Sequence, residues 1–192
     1  YLIGKDLSRM QASLDAATEW VKGRVGKYVL STRGEAMPRV IGRLLMEKRA
    51  TLAVAESCTG GRIANWVTDV SGSSDYFLFS GVSYANAAKV DILGVSSQTL
   101  DEYGAVSEET AREMAAGARR IAKATYGIST TGIAGPGGGT EEKPVGTVCI
   151  GLATPEKALG KRYFFPFGKR SMNKSIFAMM ALEMLRRELL NI

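Results

Sequence analysis

Ser57 stands where a short apolar run stops, in Ala53-Val54-Ala55-Glu56-Ser57-Cys58-Thr59-Gly60-Gly61, and hydroxyl, thiol and glycine then follow one another. A serine set in a strand-to-helix turn could serve as a nucleophile, because backbone amides lie close to the oxygen its attack creates. Composition restricts what could activate it. The chain has no histidine, so Ser-His-Asp and Cys-His mechanisms are excluded and any general base is Lys, Tyr or a carboxylate. The two cysteines, Cys58 and Cys149, have no metal-ligand spacing, and without histidine a zinc site of the usual kind is not expected. No metal and no cofactor are predicted. The competing reading is that Ser57 or Thr59 caps a helix, the commoner fate of such residues, and the motif alone favours the cap.

The elements that must position Ser57 follow from periodicity. Thr51 to Ala55 is small and apolar throughout, which predicts a strand buried on both faces. Ile63, Trp66, Val67 and Val70 fall on one helical face, which predicts a helix beginning near Gly60. Its first turn would offer unpaired amides and the positive end of the helix dipole to an anion or oxyanion. A second candidate follows the strand predicted over Tyr126–Thr131, in Gly132-Ile133-Ala134-Gly135-Pro136-Gly137-Gly138-Gly139. The loop lacks the Lys-Ser/Thr ending of a P-loop, and an extended segment follows where a Rossmann fingerprint needs a helix. A binding loop with exposed amides and a long β-connection remain equally good readings of it. Both candidates would leave the carboxyl ends of strands, where ligands collect in α/β sheets.

An amphipathic helix is predicted over residues 5–22, ended by Gly23 and Gly26, with Tyr28-Val29-Leu30 as a short strand. The Gly23-Arg24-Val25-Gly26 string has the form of a KH-module GXXG loop, but a helix-terminating glycine pair is the better reading. Ser31-Thr32-Arg33-Gly34 is breaker-rich and marks the boundary between an appendage, 1–34, and the main domain, 35–192. Helices are predicted from Met37, over Ala85–Leu93, after the capping residue Ser107, and over Ser171–Leu190; strands are predicted over Tyr76–Tyr84, Val145–Ala153 and Arg162–Phe167, the last two paired across a turn around Pro155 and Gly160. This order indicates a three-layer α/β/α sandwich around a mixed sheet. The net charge of +6 is dispersed, which argues for an anionic ligand and only weakly for nucleic acid. No window reaches the ~20 consecutive apolar residues of a membrane span, so a cytoplasmic protein is expected. The start at Tyr1, without methionine, reads as a piece of a longer protein.

Taken together, Ala55-Glu56-Ser57-Cys58-Thr59-Gly60-Gly61, Tyr84-Ala85-Asn86-Ala87-Ala88-Lys89, Gly104-Ala105-Val106-Ser107, Thr131-Gly132-Ile133-Ala134-Gly135-Pro136-Gly137-Gly138 and Lys143-Pro144-Val145-Gly146-Thr147-Val148 resemble the CinA C-terminal domain family in order and spacing. The resemblance covers residue 35 to the end, and residues 1–34 resemble the tail of the middle region of longer CinA-type proteins. It implies a nicotinamide-nucleotide amidase, converting nicotinamide mononucleotide and water to nicotinic acid mononucleotide and ammonia in pyridine nucleotide salvage. Ser57 matches the family's nucleophile, and Tyr84 and Lys89 its Tyr and Lys partners. Cys58, Thr59, Gly60 and Gly61 of the turn, Thr131, Gly132, Ala134 and Gly135 of the loop, and Arg170 are the expected substrate-binding residues. Cys58 is expected to pack rather than to attack. The chain departs from the family pattern at Ala85, often Ser, and at Lys169, often Asp or Asn. The alternative is a non-catalytic nucleotide-binding or regulatory domain. A homo-oligomer, a dimer, is expected, since the apolar stripe of the first helix calls for burial against a partner chain or the further domain of longer CinA-type proteins.

Overall fold

In a computed structural model that describes residues 6–192, the chain runs α1 (Leu7–Val25), α2 (Met37–Glu47), β1 (Leu52–Glu56), α3 (Arg62–Thr68), β2 (Phe77–Val82), α4 (Asn86–Asp91), α5 (Ser97–Tyr103), α6 (Glu108–Ala122), β3 (Tyr126–Gly132), β4 (Thr147–Ala153), β5 (Ala158–Phe164) and α7 (Arg170–Leu190). The strands form one sheet in the order β2-β1-β3-β4-β5. β1 lies parallel to β2 and β3, whereas β4 is antiparallel to both β3 and β5. This is a mixed α/β fold. Every residue of β1 is buried, as its unbroken run of small apolar residues requires of a strand covered on both faces.

One face of the sheet is covered by α2, α3 and α7. Val40, Ile41, Leu44 and Leu45 of α2 meet Phe177, Ala181, Leu182 and Leu185 of α7 in the larger core. Full burial of side chains such as Ile41 and Leu45 contributes about 1.5–3 kcal/mol each. The other face is covered by α6, whose Ala115 and Ala118 are fully buried. The small residues let the backbones approach closely. At Gly151 in β4, an added Cβ would collide with the Ala111 carbonyl of α6. Ser107 caps α6 as its position predicts, its Oγ accepting from the Thr110 amide at 3.1 Å.

Several local expectations are corrected. α1 continues through Gly23 to Val25, and residue 5, the predicted start, lies outside the described residues. Tyr28-Val29-Leu30 is no strand: Gly26–Tyr28 forms a 3-10 turn, held where Arg186 of α7 donates to the Lys27 carbonyl at 2.8 Å. β5 starts at Ala158 and includes Gly160, because Thr154 closes the turn instead, its Oγ1 accepting from the amides of Glu156 and Lys157 at 3.1 Å. α5, which the sequence pattern did not indicate, is anchored by Glu113, which accepts from the Ser96 amide at 2.8 Å and the Thr99 hydroxyl at 2.7 Å. No helix among the described residues is long and apolar enough to cross a membrane.

Candidate active site

Ser57 is the first residue beyond β1. Its amide donates to the Thr130 carbonyl at 2.9 Å, so the β1–β3 ladder extends one step and fixes its backbone. The turn after it closes with the Gly60 amide on the Ser57 carbonyl at 3.1 Å. Ser57 does not cap α3, and neither does Thr59. The N-cap position is Gly61, while Thr59, fully buried, shares a 2.7 Å hydrogen bond with the Thr130 hydroxyl.

The cap comes from a residue the sequence reading passed over. Glu56, fully buried at the end of β1, accepts from the Ile63 amide at 3.2 Å and the Ala64 amide at 2.9 Å. Its own carbonyl accepts from the Ser83 amide at 2.8 Å. The expectation of a substrate anion at the start of α3 is therefore corrected, because a carboxylate already takes those amides and would repel a second negative group. A glutamate closing an otherwise apolar strand, seven residues before a helical stripe, was the available signal.

Lys89, on α4, is fully buried beside this turn. Its Nζ lies 3.3 Å from Ser57 Oγ and donates to the carbonyls of Ser83 at 2.8 Å and Tyr84 at 3.1 Å. Burial lowers its pKa from the ordinary lysine range. The opposing pull of Cys58 requires a thiolate, and burial pushes the Cys58 thiol up to about 12, so at neutral pH that pull is absent. A neutral amine has two N–H donors and one lone pair. In the neutral form the two donors would meet the two carbonyls and the lone pair would face the Ser57 hydroxyl.

Ser57, Cys58, Lys89 and Tyr84 share a cavity of about 270 Å3 with Thr131, Gly132, Ala134, Gly135 and Arg170, and Asn86 and Ala105 complete part of its wall. Thr59, Gly60 and Gly61 do not line it, Thr59 being fully buried against Thr130. Tyr84 contributes its carbonyl to Lys89, but its phenol turns outward and accepts from Arg170 at 3.0 Å. Arg170 also donates to the Gly135 carbonyl at 2.7 Å. Asn173, one helical turn along α7 and fully buried, donates to the Ala134 carbonyl at 3.0 Å and the Phe167 carbonyl at 2.8 Å. Sequence reasoning missed Asn173, although a lone amide on the apolar face of α7 was a visible anomaly.

Comparison with known proteins agrees on one family. The model of the CinA C-terminal domain matches residues 34–189. A CinA-like protein of Desulfosudis oleivorans is 62% identical over 174 residues, which is 91% of this chain and 42% of that protein. The chain thus spans less than half the length of such curated relatives. Among solved structures, the competence/damage inducible protein CihA of Agrobacterium tumefaciens is 39% identical with a TM-score of 0.75, covering 78% of this chain and 91% of that one. The competence damage-inducible protein A of Klebsiella pneumoniae is 30% identical with a TM-score of 0.77, covering 80% and 95%.

Proposed function

The chain belongs to the CinA C-terminal domain family, and from that membership and the geometry around Ser57 we propose that it is a nicotinamide-nucleotide amidase, releasing ammonia from nicotinamide mononucleotide to leave nicotinic acid mononucleotide. The observation that carries the reading is the buried Lys89 Nζ, 3.3 Å from Ser57 Oγ and within donor reach of the Ser83 and Tyr84 carbonyls. Ser57 Oγ attacks the carboxamide carbon while Lys89 takes its proton. The carbonyl oxygen becomes an oxyanion beside the Ser57–Cys58 peptide, and Lys89 returns the proton to the departing nitrogen, which leaves as ammonia. Water then attacks the ester at Ser57, Lys89 taking its proton and passing it to Ser57 Oγ as the acyl–oxygen bond breaks and the carboxylate is released. Tyr84 positions Lys89 through its carbonyl and Arg170 through its phenol. Thr131 and the Gly132–Gly135 backbone face the bound nucleotide across the cavity.

Ammonia release from nicotinamide mononucleotide, nicotinamide riboside and simple amides tests this reading. The nucleotide is the expected substrate, and Ser57→Ala should lose turnover by at least about a thousandfold while still binding it. Binding without ammonia release by the unaltered chain would instead favour a non-catalytic nucleotide-binding domain.

A further inference from the structure

The phosphate of such a nucleotide needs a place, and Glu56 denies it the start of α3. A second cavity, about 580 Å3, adjoins the first through Arg170, which lines both. Its charged lining is Arg62, Lys169, Arg170 and Lys174, with no carboxylate among its lining residues. None of these four cations forms an ion pair among the described residues, whereas Arg43, Lys157, Arg186 and Arg187 each do. Unneutralised like charges around one cavity repel one another, and an anion placed among them relieves that repulsion.

The cluster is also tied to the Ser57 turn. Lys174 Nζ lies over the turn, 2.9 Å from where a Cβ on Gly60 would stand. Arg62 donates to the Ser171 carbonyl at 3.1 Å and to the Ser175 hydroxyl, joining the first residue of α3 to the start of α7. Arg170 reaches the Gly135 carbonyl and the Tyr84 phenol. We infer that this basic cavity is the phosphate subsite, holding the phosphoryl group of a ligand whose carboxamide meets Ser57. The inference rests on the amidase reading for its ligand, but the anion site itself does not need that chemistry. It selects nucleoside phosphates over neutral nucleosides.

Titration calorimetry with inorganic phosphate and pyrophosphate tests the site without turnover. Lys169 and Lys174 make no side-chain hydrogen bond or ion pair among the described residues, so Lys169→Gln/Lys174→Gln should fold normally and bind phosphate at least about tenfold more weakly. Arg62→Gln, with its fold checked by circular dichroism, should weaken it similarly. Lys48→Gln/Lys161→Gln removes equal charge elsewhere and should leave phosphate binding unchanged. In the active protein the lysine double variant should raise KM for the nucleotide with kcat within about twofold, and leave the riboside unaffected. Phosphate binding that is absent from the unaltered chain, intact in Lys169→Gln/Lys174→Gln, or equally lost in the control overturns the subsite. Cluster-dependent phosphate binding with no ammonia release would leave the subsite standing and remove the amidase reading.

Discussion

The Ser57 turn and the Gly132 loop leave the same edge of the sheet and are held in opposite ways. The turn is fastened by its own neighbours: Glu56 takes two amides of α3, Thr59 pairs with Thr130, and the Ser57 amide continues the β1–β3 ladder. The loop is fastened from outside, by Asn173 and Arg170 of α7 reaching to the carbonyls of Ala134 and Gly135. The turn therefore presents a side chain in one fixed direction, as a nucleophile requires. The loop, with those carbonyls occupied, contributes Gly132, Ile133, Ala134 and Gly135 to the cavity wall. On the proposed amidase reading chemistry falls to the turn and recognition to the loop, and substitutions that unfasten one or the other should separate kcat from KM.

The largest effect is expected at Lys89. Lys89→Met should lower turnover at least about a thousandfold, because among the described residues Lys89 is the one side chain hydrogen-bonded to Ser57 Oγ. In the unaltered chain the rate should rise with pH and level off at a pKa below the usual ~10.4 of lysine, since burial disfavours the ammonium and the neutral amine is the base. The stability linkage has the same origin. The unfolded chain holds this proton more tightly, so between the folded and unfolded pKa values the group's contribution to stability rises with pH. A rate that falls as pH rises across that range would remove Lys89 as the base.

Glu56→Gln should come next. The amide keeps the shape of the side chain but faces one of the α3 amides with its own NH2, leaving a buried donor unpaired at a cost of about 1–3 kcal/mol. The turn then loosens beneath Ser57. Turnover is expected to fall about 10–100-fold with KM little changed, and the Ile63 and Ala64 amides should exchange hydrogen faster. Unchanged turnover alongside faster exchange would show that the chemistry does not depend on this fastening.

Gly135→Ala tests the loop. Gly135 has φ 85°, and an added Cβ would press on Val145. Strain of roughly 1–3 kcal/mol should displace the carbonyl that Arg170 grips, raising KM about tenfold with a smaller change in kcat. A change confined to kcat would mean that the loop carries part of the chemistry after all.

Much of this division was legible in the sequence, and what escaped has a common cause. The buried β1, the Ser107 cap and the paired strands β4 and β5 follow from local period and turn residues, which act over a few positions. Ser57 stands out from its turn, where the motif alone favours a cap, and the family resemblance is what matches it to a nucleophile and singles out Lys89, since a lysine on a short helix carries no local sign of burial. Asn173 and the basic cavity depend on contacts between segments far apart in sequence, and Glu56 on a turn that brings it back over amides seven and eight residues on: Glu56 is polar in an apolar strand, and Asn173 interrupts an apolar helix face. Each breaks the local pattern, and only the fold supplies its partner. α1 shows the reverse. Its spacing of Leu7, Met10, Leu14 and Val21 promises a core, yet no residue of the helix is buried.

That last contrast gives the smallest predicted effect. Leu14 is 52% exposed, whereas Leu45 of α2, in a helix with the same kind of apolar spacing, is fully buried. If the single chain is what unfolds, Leu14→Ser removes almost no packing. It should shift the urea midpoint by an amount worth no more than about 0.5 kcal/mol, made up mainly of the difference in helix propensity. Leu45→Ala should cost about 2–5 kcal/mol, because it leaves a cavity between α2 and the sheet. Ammonia release should not change in Leu14→Ser, since α1 lines no part of the Ser57 cavity. A loss above about 1 kcal/mol that grows with protein concentration would mean that a second copy covers α1 in solution. The stripe would then be a buried surface supplied in trans, and α1 and α2 would differ only in which chain provides the partner.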